Sequence, residues 1–570
     1  MTNPANRNVA ARLAKVARLV PGGIAIAQPQ GRPSATGPRS YTAVTFGELD
    51  QRTDTIAKGL LKWGVQPGMR LAMLVPFGIE FLTLTFGLLK AGAVVVLIDP
   101  GMGRRNLIGC LEEAAPDGMV AIPKAQAIRA VLRNRFPASR WNVTVGRRLF
   151  WGGKTLQEIE SLGRALQQDA PEHGSSAKDA TELRLPDRGD EDPAAVIFTT
   201  GSTGPPKGVL YTHGIFNHQI DLIRKRYGIK PGSRDLACFP LFGLFDAVMG
   251  VTTIIPDMDP TRPADVNPRR VVEAVEHWEI DQAFGSPALW NTVANWCVAE
   301  QVTLPTLRRV LSAGAPVPPA TLATLRRLIH PDGEIFTPYG ATESLPIASI
   351  ESREVLEETA HRSRQGAGTC VGSRFEQIEW RVISISDHPI ESIEQAPAIP
   401  AGEIGELMVC GPVVTRQYVT RQAQNALHKV RDGERVWHRV GDVGYLDSQN
   451  RFWFCGRKSH RVQTPQGTLF TVPCEAIFNT HQDVYRSALI GLGTAPEQQP
   501  AVIIEPHPAA RPRGAAAARR LVDELRHLAA ANERTATITD IRIHAGKLPV
   551  DIRHNSKIFR EQLALQYAGS

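Results

Sequence analysis

The chain has 570 residues, of which 42% are hydrophobic and 21% charged, and a formal net charge of +8. This length excludes a single small binding module and predicts at least two domains, each with its own core. We interpret the basic excess as Arg residues spread along the whole chain. Because no recognition motif accompanies them, the excess argues against nucleic-acid binding. The seven cysteines are widely spaced and form no Cys-x-x-Cys pair, which favours reduced thiols and a cytoplasmic location.

Residues 46–100 alternate helical and strand patterns, as a parallel α/β sheet requires. The helical patterns are FGELDQRTDTIAKGLLKWG and FLTLTFGLLKAG, and the strand patterns are RLAMLV and VVVLI. The most apolar stretch, residues 81–98, is interrupted by Lys90 and by the pair Ala91-Gly92. We therefore predict a buried helix and a strand there, and no transmembrane segment in the chain.

A polar connector over residues 166–193 precedes the strand AAVIF and the loop Thr199–Gly208. The loop brings together hydroxyls, glycines and one cation, from Thr199, Thr200, Gly201, Ser202, Thr203, Gly204 and Lys207. Such residues offer N–H groups, hydroxyls and positive charge to phosphate oxygens, and glycine permits close approach. The spacing differs from a Walker P-loop, because Pro206 precedes the lysine and Gly208 follows it. We predict a nucleotide-binding loop of another type; a generic flexible turn is the alternative.

The α/β alternation returns over residues 235–312, and short strands and turns follow residue 400. The segments GEIGELMVCG and GDVGYLDSQNRFWFCGRK predict antiparallel strands that close the large domain. The last stretch mixes strands with an Ala/Arg-rich helix over 513–531, whose apolar face carries Leu521, Leu525 and Leu528. The fold class is thus α/β plus α+β.

Four segments in one order resemble the adenylate-forming superfamily of acyl-CoA synthetases, peptide-synthetase adenylation domains and luciferases. They are the loop 199–208, Tyr339-Gly340-Ala341-Thr342-Glu343, Gly441-Asp442-Val443-Gly444-Tyr445 with Gly456-Arg457-Lys458, and Asn555-Ser556-Lys557-Ile558. The resemblance spans nearly the whole chain. It implies ATP and Mg²⁺ as cofactors and an N-terminal adenylation domain, residues 1–456, of parallel α/β sheets and a small β-barrel. It also implies a mobile C-terminal domain, residues 457–570, that turns about a hinge near 456–459.

The resemblance gives roles to the second segment and to a nearby turn. Thr342 would contact the α-phosphate, and Glu343 would hold Mg²⁺ against the phosphate oxygens. Tyr339 would stack on adenine beside Gly340. The nearby turn contains Gly314, Ala315 and Pro316, whose small side chains would let the backbone lie against the base. The alternatives are an exposed loop glutamate, a packed tyrosine and a tight turn.

The last two segments would complete the nucleotide site. Asp442 would accept hydrogen bonds from both ribose hydroxyls, since a carboxylate has two oxygens for a vicinal diol. Arg457 would brace the ribose or a phosphate. Lys557 would stabilise the negative charge of the transition state when the C-terminal domain closes. The alternatives are a turn-capping aspartate, a surface arginine and a solvated lysine.

Three departures from the superfamily pattern argue against transfer to a thiol, so CoA is not expected as a cofactor. Ser459 stands at the hinge position that is usually Asp or Lys. Gly243 stands where many acyl-CoA ligases place a histidine or an aromatic gate beside the acyl pocket. Residues 462–471 differ from the usual pantetheine-tunnel sequence.

Several stretches resemble one branch of the superfamily, the β-lactone synthetases of bacterial long-chain olefin biosynthesis. Among them are FGSPAL, SAGAPVPP, WFCGRKSHRV and LPVDIRHNSK. The resemblance implies that a 2-alkyl-3-hydroxy fatty acid is adenylated and that its own β-hydroxyl then closes a β-lactone. It also implies a complex with the decarboxylase and the reductase of that pathway.

The acyl site is predicted from three residues. His213 and Asp246 are candidates for the base that deprotonates the β-hydroxyl, with a structural role as the alternative for His213, and Gly243 lies in the pocket. Two other functions stay open: a long-chain acyl-CoA or acyl-carrier ligase, and a silent nucleotide-binding scaffold. The scaffold is disfavoured because a silent protein has no need for Lys207, Glu343, Asp442 and Lys557 together.

Overall fold

The computed structural model describes residues 6–31, 39–168, 183–199, 204–551 and 557–568. The chain divides into two compact units. The first comprises Met1–Gly285, Trp296–Val310 and Pro412–Asn425, and the second Ser286–Asn295, Leu311–Gly411 and Ala426–Ser570. The division into domains 1–456 and 457–570 stays a prediction.

The first unit is built from helices and mainly parallel strands. Its longer helices are Ala11–Leu19, Phe46–Trp63, Ile79–Lys90, Arg104–Ala114, Pro123–Val131, Leu156–Gln168, His213–Tyr227, Pro240–Met249 and Pro268–His277. One sheet has seven strands in the spatial order Lys154–Thr155, Val143–Thr144, Gly118–Ala121, Arg70–Leu74, Val94–Leu97, Pro193–Phe198 and Gly208–Thr212. A second sheet contains Gln282–Gly285, Arg234–Ala237, Thr252–Ile254, Ile24–Pro29 and Tyr41–Thr45.

The helix Phe46–Trp63 shows why the predicted alternation folds in this way. Thr45 caps its N-terminus in a capping box with Glu48, and Gly64 ends it in the left-handed conformation. The helix Ile79–Lys90 is buried along nearly its whole length, and Val94–Leu97 follows it as a central parallel strand. Both elements lie where the sequence predicts them. No described helix has the length and apolarity needed to cross a bilayer.

The second unit is dominated by antiparallel strands. Glu334–Ala341 and Ser344–Glu351 form a hairpin, with Ser373–Arg374 alongside. A six-stranded sheet, at the position of the predicted small barrel, contains Thr369–Cys370, Phe452–Arg457, Arg435–Leu446, Gly405–Cys410, Glu379–Ile383 and Lys429–Asp432. Its helical elements include Pro319–Leu328, Ser352–Glu354, Val355–Thr359 and Ala360–Arg364. Pro287–Ala299 and Arg309–Ser312 contain boundaries between the units.

The C-terminal part of the second unit is a small α+β layer, as predicted. Its elements are the strands Val462–Thr464, Gly467–Leu469, Val484–Leu492, Gln499–Pro506 and Asp540–Ile543 and the helices Thr471–Phe478, Ala515–Ala530 and Arg560–Tyr567. Leu489 and Val502 pack on the face covered by Leu521 and Leu525. Alternate residues of the same strands pack with Ile558 and Leu563 on the other face, which follows from the two-residue period of a strand.

A buried ion cluster joins the six-stranded sheet to the start of the C-terminal part. The side chains of Glu406 and Arg439 are both fully buried and lie 2.6 Å apart. Lys458 reaches the same carboxylate at 3.0 Å and donates to the carbonyl of Ser386 at 2.7 Å. Burial lowers the pKa of Lys458. One carboxylate therefore compensates two cations that have little access to water.

We expect Glu406→Gln to lower the free energy of unfolding by about 3–5 kcal/mol, because the change leaves two enclosed cations without their counter-charge. Urea denaturation followed by tryptophan fluorescence measures the effect. Glu379→Gln is the matched control: its pair with Arg435 is about half exposed on both sides, and it should cost less than about 1 kcal/mol. Equal effects of the two substitutions would contradict this account of the cluster.

Candidate active site

Thr342 and Glu343 lie at the tip of a tight hairpin in the second unit. Ala341 pairs with Ser344 across the turn, so Thr342 and Glu343 are its two central residues. A side chain at Gly340 would come within 2.9 Å of the Ser344 carbonyl oxygen, so only glycine fits beside this turn. The hairpin thus presents a hydroxyl and a carboxylate side by side, and Glu343 is only 9% exposed.

A second hairpin brings two of the sequence motifs together. Asp442 and Arg457 are Cα partners on the antiparallel strands Arg435–Leu446 and Phe452–Arg457. Asp447 organises the connection, because its carboxylate accepts from the backbone N–H of Arg451 at 2.9 Å and from Trp453 Nε1 at 2.9 Å. The hairpin formed by the fourteen residues between Asp442 and Arg457 therefore places the two side chains opposite each other.

The Asp442 carboxylate connects the two hairpins. It accepts from the Tyr339 hydroxyl through one oxygen and from Arg457 Nη1, at 2.5 Å, through the other. Burial, and then the Asp442 charge, raise the pKa of Tyr339 well above its ordinary value, so the hydroxyl remains a donor. Burial disfavours the charged guanidinium, yet Asp442 and, more weakly, Glu343 leave the pKa of Arg457 raised. Tyr339 therefore keeps its hydroxyl proton, and Arg457 keeps its positive charge, near neutral pH.

This network retains capacity for a ligand. A carboxylate has about four acceptor positions, and the protein donors named above take two of those of Asp442. Arg457 Nε is buried and has no partner among the described residues. An acceptor for a vicinal diol and a donor for an anion therefore lie next to each other, as a ribose phosphate requires.

Glu343 fits a magnesium site that is completed by the substrate. Mg²⁺ is usually held by one or two protein carboxylates together with phosphate oxygens. Within the described ranges, no group of three or more His, Cys, Asp or Glu side chains has the arrangement of a metal site. A single nearly buried carboxylate beside the Arg457 network is compatible with the phosphate-assisted type.

The turn predicted to lie against adenine belongs to the same unit. Gly314 has φ +96, which Ala and other L-residues rarely adopt, and Ala315 and Pro316 follow it. The hydroxyl of Ser312 is buried without a partner among the described residues. The turn therefore combines a backbone conformation that favours glycine with one buried hydroxyl that has no partner among the described residues, but its contact with a base stays a prediction.

The nucleotide loop lies in the first unit, and Thr200, Gly201, Ser202 and Thr203 fall outside the described residues. Thr199 closes the loop, since its N–H donates to the Lys207 carbonyl at 3.0 Å and its Oγ1 accepts from the Lys207 N–H at 3.1 Å. Gly204 has φ +145. The Lys207 ammonium lies 4.7 Å from the centre of the Tyr418 ring. Both ends of the predicted phosphate loop are thus fixed to each other.

Lys557 lies in the C-terminal part of the second unit, just after undescribed residues 552–556. Its backbone N–H donates to Asp551 Oδ1 at 2.8 Å, and its carbonyl accepts from the Asp551 N–H at 3.0 Å. Ile558, the next residue, is anchored in the core. The backbone of Lys557 is therefore held by Asp551 on one side and by the buried Ile558 on the other, and its contact with a phosphate stays a prediction.

The predicted acyl pocket residues Gly243 and Asp246 lie on the buried helix Pro240–Met249 of the first unit. A Cβ at Gly243 would lie 3.0 Å from the Phe77 ring. Phe77 therefore fills the place of an aromatic side chain at position 243. Sequence reasoning missed Phe77, because nothing in its local pattern distinguishes it from other loop aromatics.

Asp246 forms a buried acid pair with Asp235. The two are 1% and 3% exposed, and their carboxyl groups lie within hydrogen-bonding reach of each other. Burial, and then Asp235, raise the pKa of Asp246 well above its usual range, and burial raises the pKa of Asp235 to about 7. A shared proton is the simplest way for two enclosed carboxyls to coexist. Asp246 is therefore poorly suited to act as a base near neutral pH.

His213 begins the helix His213–Tyr227 and is fully buried. Its Nδ1 accepts from the Val9 backbone N–H at 3.2 Å. Burial, and then the neighbouring Arg188, lower the pKa of His213 to about 4. A neutral imidazole that holds the N-terminal segment fits the structural alternative better than the role of base.

Comparison with known proteins identifies the class. Residues 24–419 match the family model of AMP-binding enzymes, and the chain belongs to that family. Over 564 residues it is 44% identical to the olefin beta-lactone synthetase of Xanthomonas campestris pv. campestris, covering 98% of this chain and 97% of that protein. It is 45% identical, with the same coverage, to the protein of that name from Stenotrophomonas maltophilia.

Solved structures confirm the predicted fold class. The ATP-bound MatB from Rhodopseudomonas palustris superposes with a TM-score of 0.75 at 19% identity, covering 99% of each chain. This likeness shows the fold alone. Together with the family match, it confirms the prediction of an adenylate-forming enzyme from the AMP-binding family.

We expect Asp442→Asn to weaken ATP binding by roughly tenfold to a hundredfold, because it removes a charged acceptor and leaves Arg457 without its counter-charge. Tyr339→Phe keeps the carboxylate and should weaken binding by only about fivefold to tenfold. Isothermal titration of ATP into each variant gives both values. The reverse order of effects would show that Asp442 serves the fold and not the nucleotide.

The acid pair predicts a pH effect on stability. The pKa values of both carboxyls are higher in the folded than in the unfolded chain. The contribution of the protonated pair to the free energy of unfolding is therefore complete below about pH 4 and is lost as pH rises through about 7. Asp246→Asn stays neutral and removes this loss. Relative to wild type, its free energy of unfolding should improve by the order of 2 kcal/mol between about pH 5 and about pH 8.

Urea denaturation of both proteins at the two pH values measures the difference. Asp221→Asn is the control, since this carboxylate is 58% exposed and paired with Arg12. A pH-independent difference for Asp246→Asn would exclude the shared proton.

Proposed function

We propose that this enzyme converts a 2-alkyl-3-hydroxy fatty acid into a β-lactone, with ATP cleaved to AMP and pyrophosphate. The observation that carries the proposal is the identity of 44–45% over almost the full length of two olefin beta-lactone synthetases. Both matches cover 98% of this chain, so they include the predicted acyl-site residues as well as the nucleotide motifs. The three departures from the thiol-transferring pattern, at Ser459, Gly243 and residues 462–471, support the same conclusion.

In the first step, a carboxylate oxygen of the acid attacks the α-phosphorus of ATP and pyrophosphate leaves. Asp442 and Arg457 would hold the ribose and orient the α-phosphate, and the loop Thr199–Lys207 would bind the other phosphates. Lys557 would offset the charge that accumulates as the new P–O bond forms. Glu343 would hold Mg²⁺, whose positive charge would offset the negative charge that develops on the departing pyrophosphate. Thr342 would donate to the α-phosphate.

In the second step, the β-hydroxyl oxygen attacks the acyl carbonyl carbon of the same molecule. The C–O bond of the four-membered ring forms, the bond to AMP breaks, and the hydroxyl proton is released. Ring strain opposes closure, but the reaction is intramolecular and its leaving group is strongly activated. The role of the chain is to hold the hydroxyl against the carbonyl and to exclude water. Neither CoA nor another thiol takes part.

The product and substrate suggest the surroundings of the enzyme. A greasy and reactive lactone benefits from direct transfer, so we propose a cytoplasmic complex with a reductase that supplies the hydroxy acid and a decarboxylase that consumes the lactone. The C-terminal part, residues 457–570, would act as the mobile lid.

The test is incubation of the purified protein with ATP, Mg²⁺ and a synthetic 2-alkyl-3-hydroxy fatty acid, with and without CoA. We expect NMR to identify a β-lactone, and chromatography an equal amount of AMP, in both reactions. A thioester formed only in the presence of CoA would instead identify an acyl-CoA ligase.

Lys557→Ala distinguishes an enzyme from a nucleotide-binding scaffold. Loss of the ammonium group that would stabilise the transition state should lower the rate of AMP formation by about a hundredfold or more, while ATP binding changes little. Lys547→Ala, in the same part of the chain, is the control and should keep the wild-type rate. Unchanged turnover in Lys557→Ala would remove the catalytic role of that residue.

A further inference from the structure

The basic excess of the chain is concentrated in one segment of 40 residues. Residues 118–157 contain eight Lys or Arg and no Asp or Glu. The remainder of the chain contains 57 basic and 57 acidic residues, so the whole formal charge of +8 resides in this segment. The interpretation of the excess as spread along the chain is therefore wrong. Arginine residues occur along the whole chain, but outside residues 118–157 acidic residues balance the basic charge.

This segment forms one edge of the seven-stranded sheet. The helix Pro123–Val131 is fixed there by Gln126, whose buried Nε2 donates to the carbonyls of Met119 at 3.0 Å and Val143 at 2.9 Å. The following loop is fixed by Trp151, which is 5% exposed and donates to Thr144 Oγ1 at 2.9 Å. A Cβ at Gly146 would lie 3.6 Å from the Pro123 ring, so the loop begins against the first turn of the helix.

Large apolar side chains are exposed on both elements. Ile128 and Val131 of the helix are 43% and 79% exposed, and Leu149 and Phe150 of the loop are 58% and 74% exposed. They make up four of the nine exposed large hydrophobic residues in the described part of the chain. Lys124 lies on the same helix face as Ile128 and Val131, because successive members of this set are four and three residues apart. Such a concentration on a folded surface indicates a binding face.

The charges around these side chains are largely uncompensated. Arg148 pairs with Glu158 at 3.2 Å, and Arg135 pairs with Glu112. Five other cations between positions 124 and 147 have no carboxylate within 4.0 Å among the described residues: Lys124, Arg129, Arg133, Arg140 and Arg147. A second copy of this surface would be repelled, so self-association does not account for it.

We propose that the surface of Lys124, Ile128, Val131, Arg147, Leu149 and Phe150, the interfacial patch, docks on an anionic lipid bilayer. Apolar side chains flanked by Lys and Arg suit the headgroup region of a bilayer. The apolar side chains reach the boundary of the acyl chains, and the Lys and Arg side chains contact the lipid phosphates. Nucleic acid would use the cations but would leave Val131 and Leu149 without a role. The patch also suits a two-chain fatty acid that resides in membranes, and this last point rests on the proposed function.

Sedimentation with extruded vesicles tests the proposal. The full chain should bind vesicles of equal parts phosphatidylcholine and phosphatidylglycerol, and it should bind pure phosphatidylcholine much less. Leu149→Ser with Phe150→Ser should weaken binding by about tenfold or more. Arg147→Gln and Lys124→Gln should each weaken it by about fivefold, and added salt should reduce these differences.

Matched controls lie in the C-terminal part of the chain, away from the interfacial patch in sequence. Arg513→Gln with Arg519→Gln, next to and on the helix Ala515–Ala530, removes two exposed cations and should leave vesicle binding unchanged. Tyr485→Ser removes a side chain that is 46% exposed and should also have no effect. Equal losses in the controls, or no binding by wild type, would overturn the proposal. Binding to DNA or polyglutamate without binding to vesicles would overturn it too.

The assay requires no turnover, so the two proposals fail separately. Lactone formation without vesicle binding would reject the interfacial patch alone. Vesicle binding without lactone formation would reject the proposed reaction alone. The patch variants should convert a short-chain, water-soluble hydroxy acid at the wild-type rate, because all their substitutions lie outside the nucleotide and acyl residues.

Discussion

Asp442 and Arg457 face each other across two antiparallel strands, and their ion pair fixes the carboxylate that is predicted to bind the ribose. The pair is held from both sides, since Tyr339 donates to the same carboxylate and Asp447 shapes the connecting turn. The charges are therefore oriented before a ligand arrives. Preorganisation of this kind lowers the cost of binding a polyanion, because the protein dipoles do not need to rearrange.

The same strand continues into the buried ion cluster. Arg457 is followed directly by Lys458, which is bound to Glu406 and to the Ser386 carbonyl. Arg457, which is predicted to bind nucleotide, and Lys458, which holds the C-terminal part, are thus adjacent in the chain. If the C-terminal part rotates near Ser459, as the family resemblance implies, Glu406 and Arg439 provide a fixed base for that motion, because both are fully buried.

The predicted acyl site has a different character from the nucleotide network. Phe77 packs against the backbone at Gly243, and the acid pair Asp235 and Asp246 lies beneath the same helix. Exclusion of water, more than charge, characterises this region. A hydroxy acid that is to cyclise before it is hydrolysed needs such an environment, since water competes with its own hydroxyl for the activated carbonyl.

The sequence by itself determined the class of enzyme and the α/β alternation. It also predicted a set of nucleotide residues, because phosphate, ribose and metal each demand particular side chains next to glycine turns. It also placed the helix face of Leu521 and Leu525 correctly, since periodicity is a local property. Only the tertiary structure paired Asp442 with Tyr339, supplied Phe77 at Gly243 and enclosed His213 and Asp246. These outcomes depend on burial and on contacts between segments that are distant in sequence. Burial shifts the pKa of an imidazole or a carboxyl, and so decides whether the group can act as a base or has a structural role. For the same reason the interfacial patch became visible only when the exposed fractions of Ile128, Val131, Leu149 and Phe150 were known.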